Sequence, residues 1–146
     1  MKLQKLPLFS FVIPVWNEEK NISLIYDKLI EILPQINAEA EFIFINDGST
    51  DNSLMELDKL ANYDKRVRYI NFSRNFGHQA ALTAGLQYAS GDAVVTLDCD
   101  LQDPPEVIVE MAKLWESKNY EIIYARRRNR HDNFFKKYTA ILYYKI

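Results

Sequence analysis

The chain has 146 residues, 48% hydrophobic and 26% charged, with a formal net charge of −2. That is enough for one domain with a packed core, and there is no basic excess pointing to nucleic acid. The single cysteine, Cys99, excludes an internal disulfide framework and a cysteine-based zinc site, and it fits a reducing compartment.

Leu6 to Val15 is an apolar run that predicts a first, central strand, ending in Pro14-Val15-Trp16-Asn17-Glu18-Glu19. Pro7 and Ser10 interrupt it, which argues against a signal peptide. The following stretch places Ile22, Ile25, Leu29 and Ile32 on one helical stripe, with Pro34 as the expected stop. Asn17 and Glu18 fall in the strand-to-helix turn, where a ligand can sit above a parallel sheet; Glu18 and Glu19 equally suit a helix N-terminus.

Phe42 to Ile45 predicts a second buried strand, running into Asn46-Asp47-Gly48-Ser49-Thr50-Asp51. Gly48 permits a tight turn, and Ser49, Thr50 or Asp51 can cap a helix carrying Leu54, Leu57 and Leu60. Asp47 precedes those caps. Two readings fit it: an acceptor for a nucleobase N–H, or a local Asx-turn.

Arg68 to Phe72 predicts a third strand, followed by the loop Ser73 to Gln79 and a small-residue helix with Ala80, Ala81, Ala84, Gly85 and Ala89, a small face that lets a helix approach a sheet closely. Arg74 suits either a phosphate contact or a solvated strand end. His78 reads as a polar loop residue, and no second histidine stands at metal-ligand spacing.

The stretch Ala93 to Glu106, AVVTLDCDLQDPPE, organises the chain. Val94, Val95 and Leu97 predict a buried central strand delivering Asp98, Asp100 and Gln102 to its end. Asp103, Pro104 and Glu106 have the spacing of a capping box for the next helix. Oxygen-bearing side chains between a strand end and a helix start suit a hard cation held against a phosphate.

Val107, Ile108, Met111 and Leu114 form the next helical stripe, with Trp115 beside it and Asn119 as a possible stop. Tyr120 to Ala125 predicts a fifth strand. Arg126, Arg127, Arg128, Arg130 and His131 follow, then Lys136 and Lys137. If the sheet is parallel, these charges share an edge with the aspartates and can close around a diphosphate; a solvated cluster touching anionic lipid is the plainer reading. Tyr138 to Ile146 ends inside an apparent helix, so the chain reads as cut short. No run approaches the roughly 18 apolar residues of a membrane span.

The alternation of strands and helices predicts a three-layer α/β sandwich with a mostly parallel central sheet and a ligand crevice at the strand ends. Neither a G-x-G-x-x-G loop nor a G-K-[ST] phosphate loop is present, so a nucleotide must be held by side chains and metal. A nucleotidyltransferase loses support for the same reason.

Five motifs carry a resemblance: VIPVWNEEKNI from Val12, FINDGSTDNS from Phe44, NFSRNFGHQAALTAG from Asn71, GDAVVTLDCDLQDPPE from Gly91 and YARRRNRHDNFFKKYTAILYYK from Tyr124. In this order they resemble glycosyltransferase family 2, and within it the polyprenyl-phosphate glycosyltransferases, such as bactoprenol glucosyltransferases and dolichyl-phosphate mannosyltransferases. The resemblance implies a GT-A type nucleotide-diphospho-sugar domain spanning residues 1–146. It places Pro14, Val15, Asn17 and Glu18 at the base and ribose and Asp47 at the base. Asp98 and Asp100 match the acidic metal motif for Mg²⁺ or Mn²⁺, with Gln102 as an additional metal-site residue. Arg126, Arg128 and Arg130 fall in a basic loop facing phosphates.

The implied reaction is inverting transfer from a nucleotide-diphospho-sugar, UDP-glucose favoured, to polyprenyl phosphate at the cytoplasmic side of a membrane. Family members of this branch continue into interface and transmembrane helices, so membrane attachment is expected through segments beyond this chain, and homo-oligomerisation is possible. The alternatives are a saccharide or protein acceptor, or a binding module that holds the nucleotide sugar without turning it over.

Overall fold

The computed structural model describes residues 6–117 and 120–125. Asn119, the basic residues Arg126, Arg127, Arg128, Arg130, His131, Lys136 and Lys137, and the stretch Tyr138 to Ile146 lie outside the described residues.

The elements alternate as expected: β1 (Leu8–Val15), α1 (Ile22–Ile36), β2 (Glu39–Asn46), α2 (Ser53–Tyr63), β3 (Val67–Asn71), α3 (His78–Tyr88), β4 (Ala93–Thr96) and α4 (Glu106–Glu116). The strands form one parallel sheet in the order β3-β2-β1-β4, with Phe11 opposite Phe42 on one side and Val95 on the other. The expected central position of the first strand is therefore correct.

Period-two alternation sends side chains of β1 and β2 to both faces. Phe9, Phe11, Ile13, Val15, Phe42 and Phe44 pack with α1, α2 and α4 on one face. Val12, Ile43 and Ile45 meet Ala81 of α3 on the other. The result is the three-layer sandwich, and no helix among the described residues is long and apolar enough to cross a membrane.

Five local expectations need correction. Pro34 does not end α1: the helix continues to Ile36, and Asn37 ends it in the left-handed region with φ 54°. A proline in the last turn loses one backbone bond, while Ile32 and Ile36 on either side are buried, at about 1.5–3 kcal/mol each. The capping box is displaced, because α4 begins at Glu106 and its cap position falls on Pro105, whose side chain can neither donate nor accept. The buried stripe of α4 is also rotated, to Ile108, Val109 and Ala112, with Leu114 46% exposed; Trp115 packs edge-on against Phe9 at 5.2 Å.

The other two corrections are linked. β4 is an edge rather than a central strand of the described sheet, and Val94 is 42% exposed. The expected fifth strand, Tyr120 to Ala125, does not form and so adds nothing to that edge. Ile122 and Tyr124 there stay 85% and 81% exposed, so that segment lacks the burial that would hold a strand on the sheet.

The small-residue helix serves the close approach the sequence implies. A Cβ on Gly85 would lie 2.3 Å from Val12 Cγ1 and 2.7 Å from Ile45 Cδ1. Gly85→Val is therefore expected to lower stability by about 2–3 kcal/mol through overpacking against a fully buried, stiff valine. Urea denaturation checks this; an unchanged midpoint would show that α3 can lift off the sheet freely.

A second clamp ties α1 to the start of β3. Asp64 accepts from the Tyr26 hydroxyl at 2.6 Å and from Arg66 Nε and Nη2 at 3.0 and 2.7 Å, and Arg66 also lies over the Phe42 ring. The Arg66 fork and the Tyr26 hydroxyl hold the Asp64 carboxyl well below the usual carboxylate range, against its partial desolvation. Burial, with Asp64 alongside, pushes the Tyr26 hydroxyl up to about 12.

The depressed carboxyl contributes stability above the unfolded value near pH 4, lost as pH falls further; the raised phenol contributes below about pH 10, lost as pH rises towards 12. Asp64→Asn is expected to cost about 1–3 kcal/mol at pH 7. In urea titrations the gap from wild type should close below pH 4, and a gap independent of pH would rule out the ionised carboxylate as its source.

Candidate functional site

All four strands point the same way, so the loops after Val15, Asn46, Asn71 and Thr96 gather at one sheet edge. The first two loops are laced together. Asn17 N donates to Ser49 Oγ at 2.9 Å, and Thr50 N returns to Asn17 Oδ1 at 2.8 Å. Glu18 N donates to Ser53 Oγ at 2.9 Å and Glu19 N to Asp51 Oδ2 at 3.1 Å, while Glu19 Oε2 accepts from Asn52 N at 3.0 Å. Asn17 takes φ 57° to do this, a conformation asparagine tolerates better than most residues. Asp51 Oδ1 accepts from Ser53 N at 2.9 Å at the start of α2, but the cap position itself falls on Asn52, without a side-chain cap bond, and not on Ser49, Thr50 or Asp51.

The third loop hangs on Asp47. This carboxylate is only 3% exposed and accepts from Phe76 N at 2.7 Å and Gly77 N at 2.9 Å. It is not a local Asx-turn: both of these bonds reach a different loop. Beside it the backbones nearly touch. A Cβ on Gly48 would sit 2.2 Å from the Arg74 carbonyl carbon, and Gly48 has φ 65°, so the position admits only glycine. Arg74 lies over the Phe76 ring at 4.8 Å.

The fourth loop carries the acidic motif. Cys99 is buried in the main core and pins the loop, leaving Asp98 exposed and Asp100 half-buried on either side of it. Asp100 Oδ1 accepts from Gln102 N at 3.0 Å across Leu101, which is forced to φ 58°. Burial pushes the Cys99 thiol up to about 12, helped by the charges of Glu18, Asp100 and Asp98. It is therefore protonated at neutral pH and is a packing residue rather than a nucleophile.

These loops enclose a cleft of about 250 Å³. Of the sequence-predicted residues, Pro14, Val15, Glu18, Asp47, Asp98 and Asp100 line it. Asn17 and Gln102 do not; Asn17 spends its side chain on Thr50, and Gln102 is exposed. Arg126, Arg128 and Arg130 lie outside the described residues. A larger groove of about 900 Å³ between β4 and α4 is mostly apolar, so the smaller cleft is the one with converging carboxylates.

Of the lining residues that were missed, Trp16 and His78 matter most for chemistry. Trp16 is 56% exposed at the cleft, and an exposed aromatic after a strand was the available signal. His78 is the first residue of α3 rather than a loop residue, and its Nε2 stands 3.8 Å from Asp98 Oδ1. Nothing local in the sequence links those two residues, which are 20 positions apart; the fold brings them together.

The donor set suits a hard cation, since carboxylates dominate it. Among the described residues, however, no group of three or more His, Cys, Asp or Glu side chains converges to hold one. A cation here would need further oxygens from a ligand.

Residues 10–146 match Glycosyl transferase family 2. An uncharacterised glycosyltransferase of Bacillus subtilis, YkcC, is 48% identical over 139 residues, covering 94% of this chain and 43% of the relative. The undecaprenyl-phosphate 4-deoxy-4-formamido-L-arabinose transferase of Proteus mirabilis is 42% identical, covering 92% and 41%. The bactoprenol glucosyl transferase of Shigella phage SfV is also 42% identical, covering 94% and 45%. The chain thus spans less than half the length of these relatives. Among solved structures, TarS 1–349 of S. aureus superposes with a TM-score of 0.64 at 22% identity, over 87% of this chain and 39% of that one, a likeness of fold. With residues 10–146 matching the family model and a parallel α/β sandwich beneath them, the chain belongs to glycosyl transferase family 2.

Proposed function

We propose that the protein transfers a sugar, glucose from UDP-glucose in the favoured case, to a polyprenyl phosphate with inversion at the anomeric carbon. The observation that carries this reading is the composition of one cleft. An exposed aromatic and an apolar strand end, Trp16 with Pro14 and Val15, face the acidic pair Asp98 and Asp100. The first half suits a base and ribose, with stacking on Trp16. The second suits a metal-bound diphosphate. The names of the Proteus and Shigella phage relatives support a lipid-phosphate acceptor, and the latter supports glucose.

Charge explains why a cation belongs to this proposal. Among the described residues, Glu18, Asp47, Asp98 and Asp100 line the cleft, and the one lining side chain able to carry positive charge is His78. A diphosphate entering such a site meets like charge unless the carboxylates are neutralised. Asp98 and Asp100 would hold Mg²⁺ or Mn²⁺, with Gln102 reached by a turn of the same loop; the bound ion would supply Lewis-acid stabilisation of the departing diphosphate. By the family resemblance, Arg126, Arg128 and Arg130 would add positive charge at the same phosphates.

In the transfer itself an acceptor phosphate oxygen forms the new bond to the anomeric carbon as the bond to the donor β-phosphate oxygen breaks. The electron pair leaves with the nucleoside diphosphate. Such an acceptor is already anionic near neutral pH, its second pKa being about 6, so no strong general base is required.

Two outcomes test the reading. Asp100→Ala should weaken UDP-glucose binding by about tenfold or more with Mn²⁺, roughly 1.4 kcal/mol, and change it little in metal-free buffer. Equal binding by wild type and variant across a metal titration would remove the proposed coordination. The full-length native protein, given radiolabelled UDP-glucose, GDP-mannose, Mn²⁺ and polyprenyl phosphate, should form lipid-linked glucose. No lipid product from a wide panel of nucleotide sugars would overturn the lipid-phosphate acceptor.

A further inference from the structure

We infer that His78 is a donor-binding residue, whose Nε2–H donates a hydrogen bond to the diphosphate of the nucleotide sugar at the Asp98 end of the cleft. The inference deepens the donor-binding reading above and rests on it for the identity of the anion.

The argument starts from an imbalance of donors and acceptors. Among the described residues, four carboxylates line the cleft: Glu18, Asp47, Asp98 and Asp100. An ionised carboxylate can only accept, and a diphosphate oxygen likewise. The bound anion therefore needs donors from other side chains. The lining side chains that offer an N–H are Trp16, Asn75 and His78. Trp16 is assigned above to the base. Asn75 adjoins Gly48, on the Asp47 side: its backbone nitrogen lies 2.4 Å from where a Gly48 Cβ would stand. His78 is the one of the three with a recorded approach to the acidic pair.

The donor on His78 is unspent. Its Nε2 stands 3.8 Å from Asp98 Oδ1, which is beyond hydrogen-bond reach, and the ring makes no hydrogen bond to another described residue. The side chain is 52% exposed, so the ring can turn towards a ligand oxygen beside Asp98. The bond requires only the Nε2–H and is open to the neutral ring.

The backbone beneath the ring is held in place. His78 is the first residue of α3, and the Gly77 carbonyl before it accepts from Ala80 N at 3.0 Å and Ala81 N at 3.2 Å. Ala81 is fully buried against the sheet, so this turn is anchored while the ring remains adjustable. No acidic side chain occupies the first turn of α3, which leaves the favourable potential of a helix start uncancelled on that helix.

A rival role is to orient Asp98 alone, and a second is to pack as a ring. A donor to the diphosphate acts independently of Asp98 and needs the N–H rather than the ring.

The experiment measures affinity on the chain as it stands, with Mg²⁺, for UDP-glucose, inorganic pyrophosphate and uridine. His78→Ala and His78→Phe should each lose about tenfold for the first two ligands and less than about twofold for uridine. His78→Gln, which keeps a side-chain N–H without the ring, should stay within about threefold of wild type. In an Asp98→Asn background, His78→Ala should still lose about fivefold or more for UDP-glucose, as expected of independent contacts.

Wild-type affinity in His78→Phe, equal loss for uridine and UDP-glucose, or no further loss in the Asp98→Asn background would overturn the inference. If wild type binds pyrophosphate but not UDP-glucose, the donor-binding reading fails by itself and the pyrophosphate series decides the contact. Binding of neither ligand overturns both.

Discussion

Everything in this molecule depends on two strands that are buried on both faces. Phe11, Val12 and Ile13 of β1 and Phe42, Phe44 and Ile45 of β2 are fully shielded, and the Phe11 and Phe42 rings stack at 5.4 Å between the two strands. Each such side chain contributes about 1.5–3 kcal/mol on burial, more than a typical loop hydrogen bond at about 1 kcal/mol. A strand buried on both sides needs helices on both, and parallel neighbours need crossovers that return to the same end. The consequence is a single edge at which every strand-to-helix loop arrives.

That edge is free to be polar because the core alone holds the sheet together. Its loops are fixed by reciprocal hydrogen bonds in place of apolar contacts, with Asn17 and Glu19 laced to Thr50 and Asn52, and Asp47 reaching across to Phe76 and Gly77. A rigid polar rim with an acidic floor suits a ligand that arrives with compensating cations. The buried thiol of Cys99 belongs to the same design: it anchors the acidic loop in the core so that its two neighbours face the cleft.

Much of this was legible in the chain. Runs such as Phe42 to Ile45 have no polar member, so a doubly covered parallel strand was the only economical reading, and β2 indeed has covers on both faces. Gly85 in a row of small residues signalled close approach of a helix, which Val12 and Ile45 confirm. The misreadings share one cause: local propensity was overruled by what lay across from it. Pro34 stayed helical because Ile36 had a core to enter, and Tyr120 to Ala125 lacks a strand because its alternate apolar side chains remain in solvent.

The amino-acid order by itself determined the alternation of elements from β1 to α4, the two-faced strands and the carboxylates of the acidic loop, because period and spacing along a chain are enough to specify these, and its motifs carried the family. Only tertiary structure decided what those carboxylates face. Residues Asp47 and Gly77, 30 positions apart, share a hydrogen bond, and Asp98 meets a histidine that read as an ordinary loop residue. It also decided that Asn17 would spend its side chain on Thr50 and that Trp16 would stand at the cleft. The physical reason is that a side chain's partner is set by which loops the sheet brings to one edge and in what register, and neither is written in any local window of sequence.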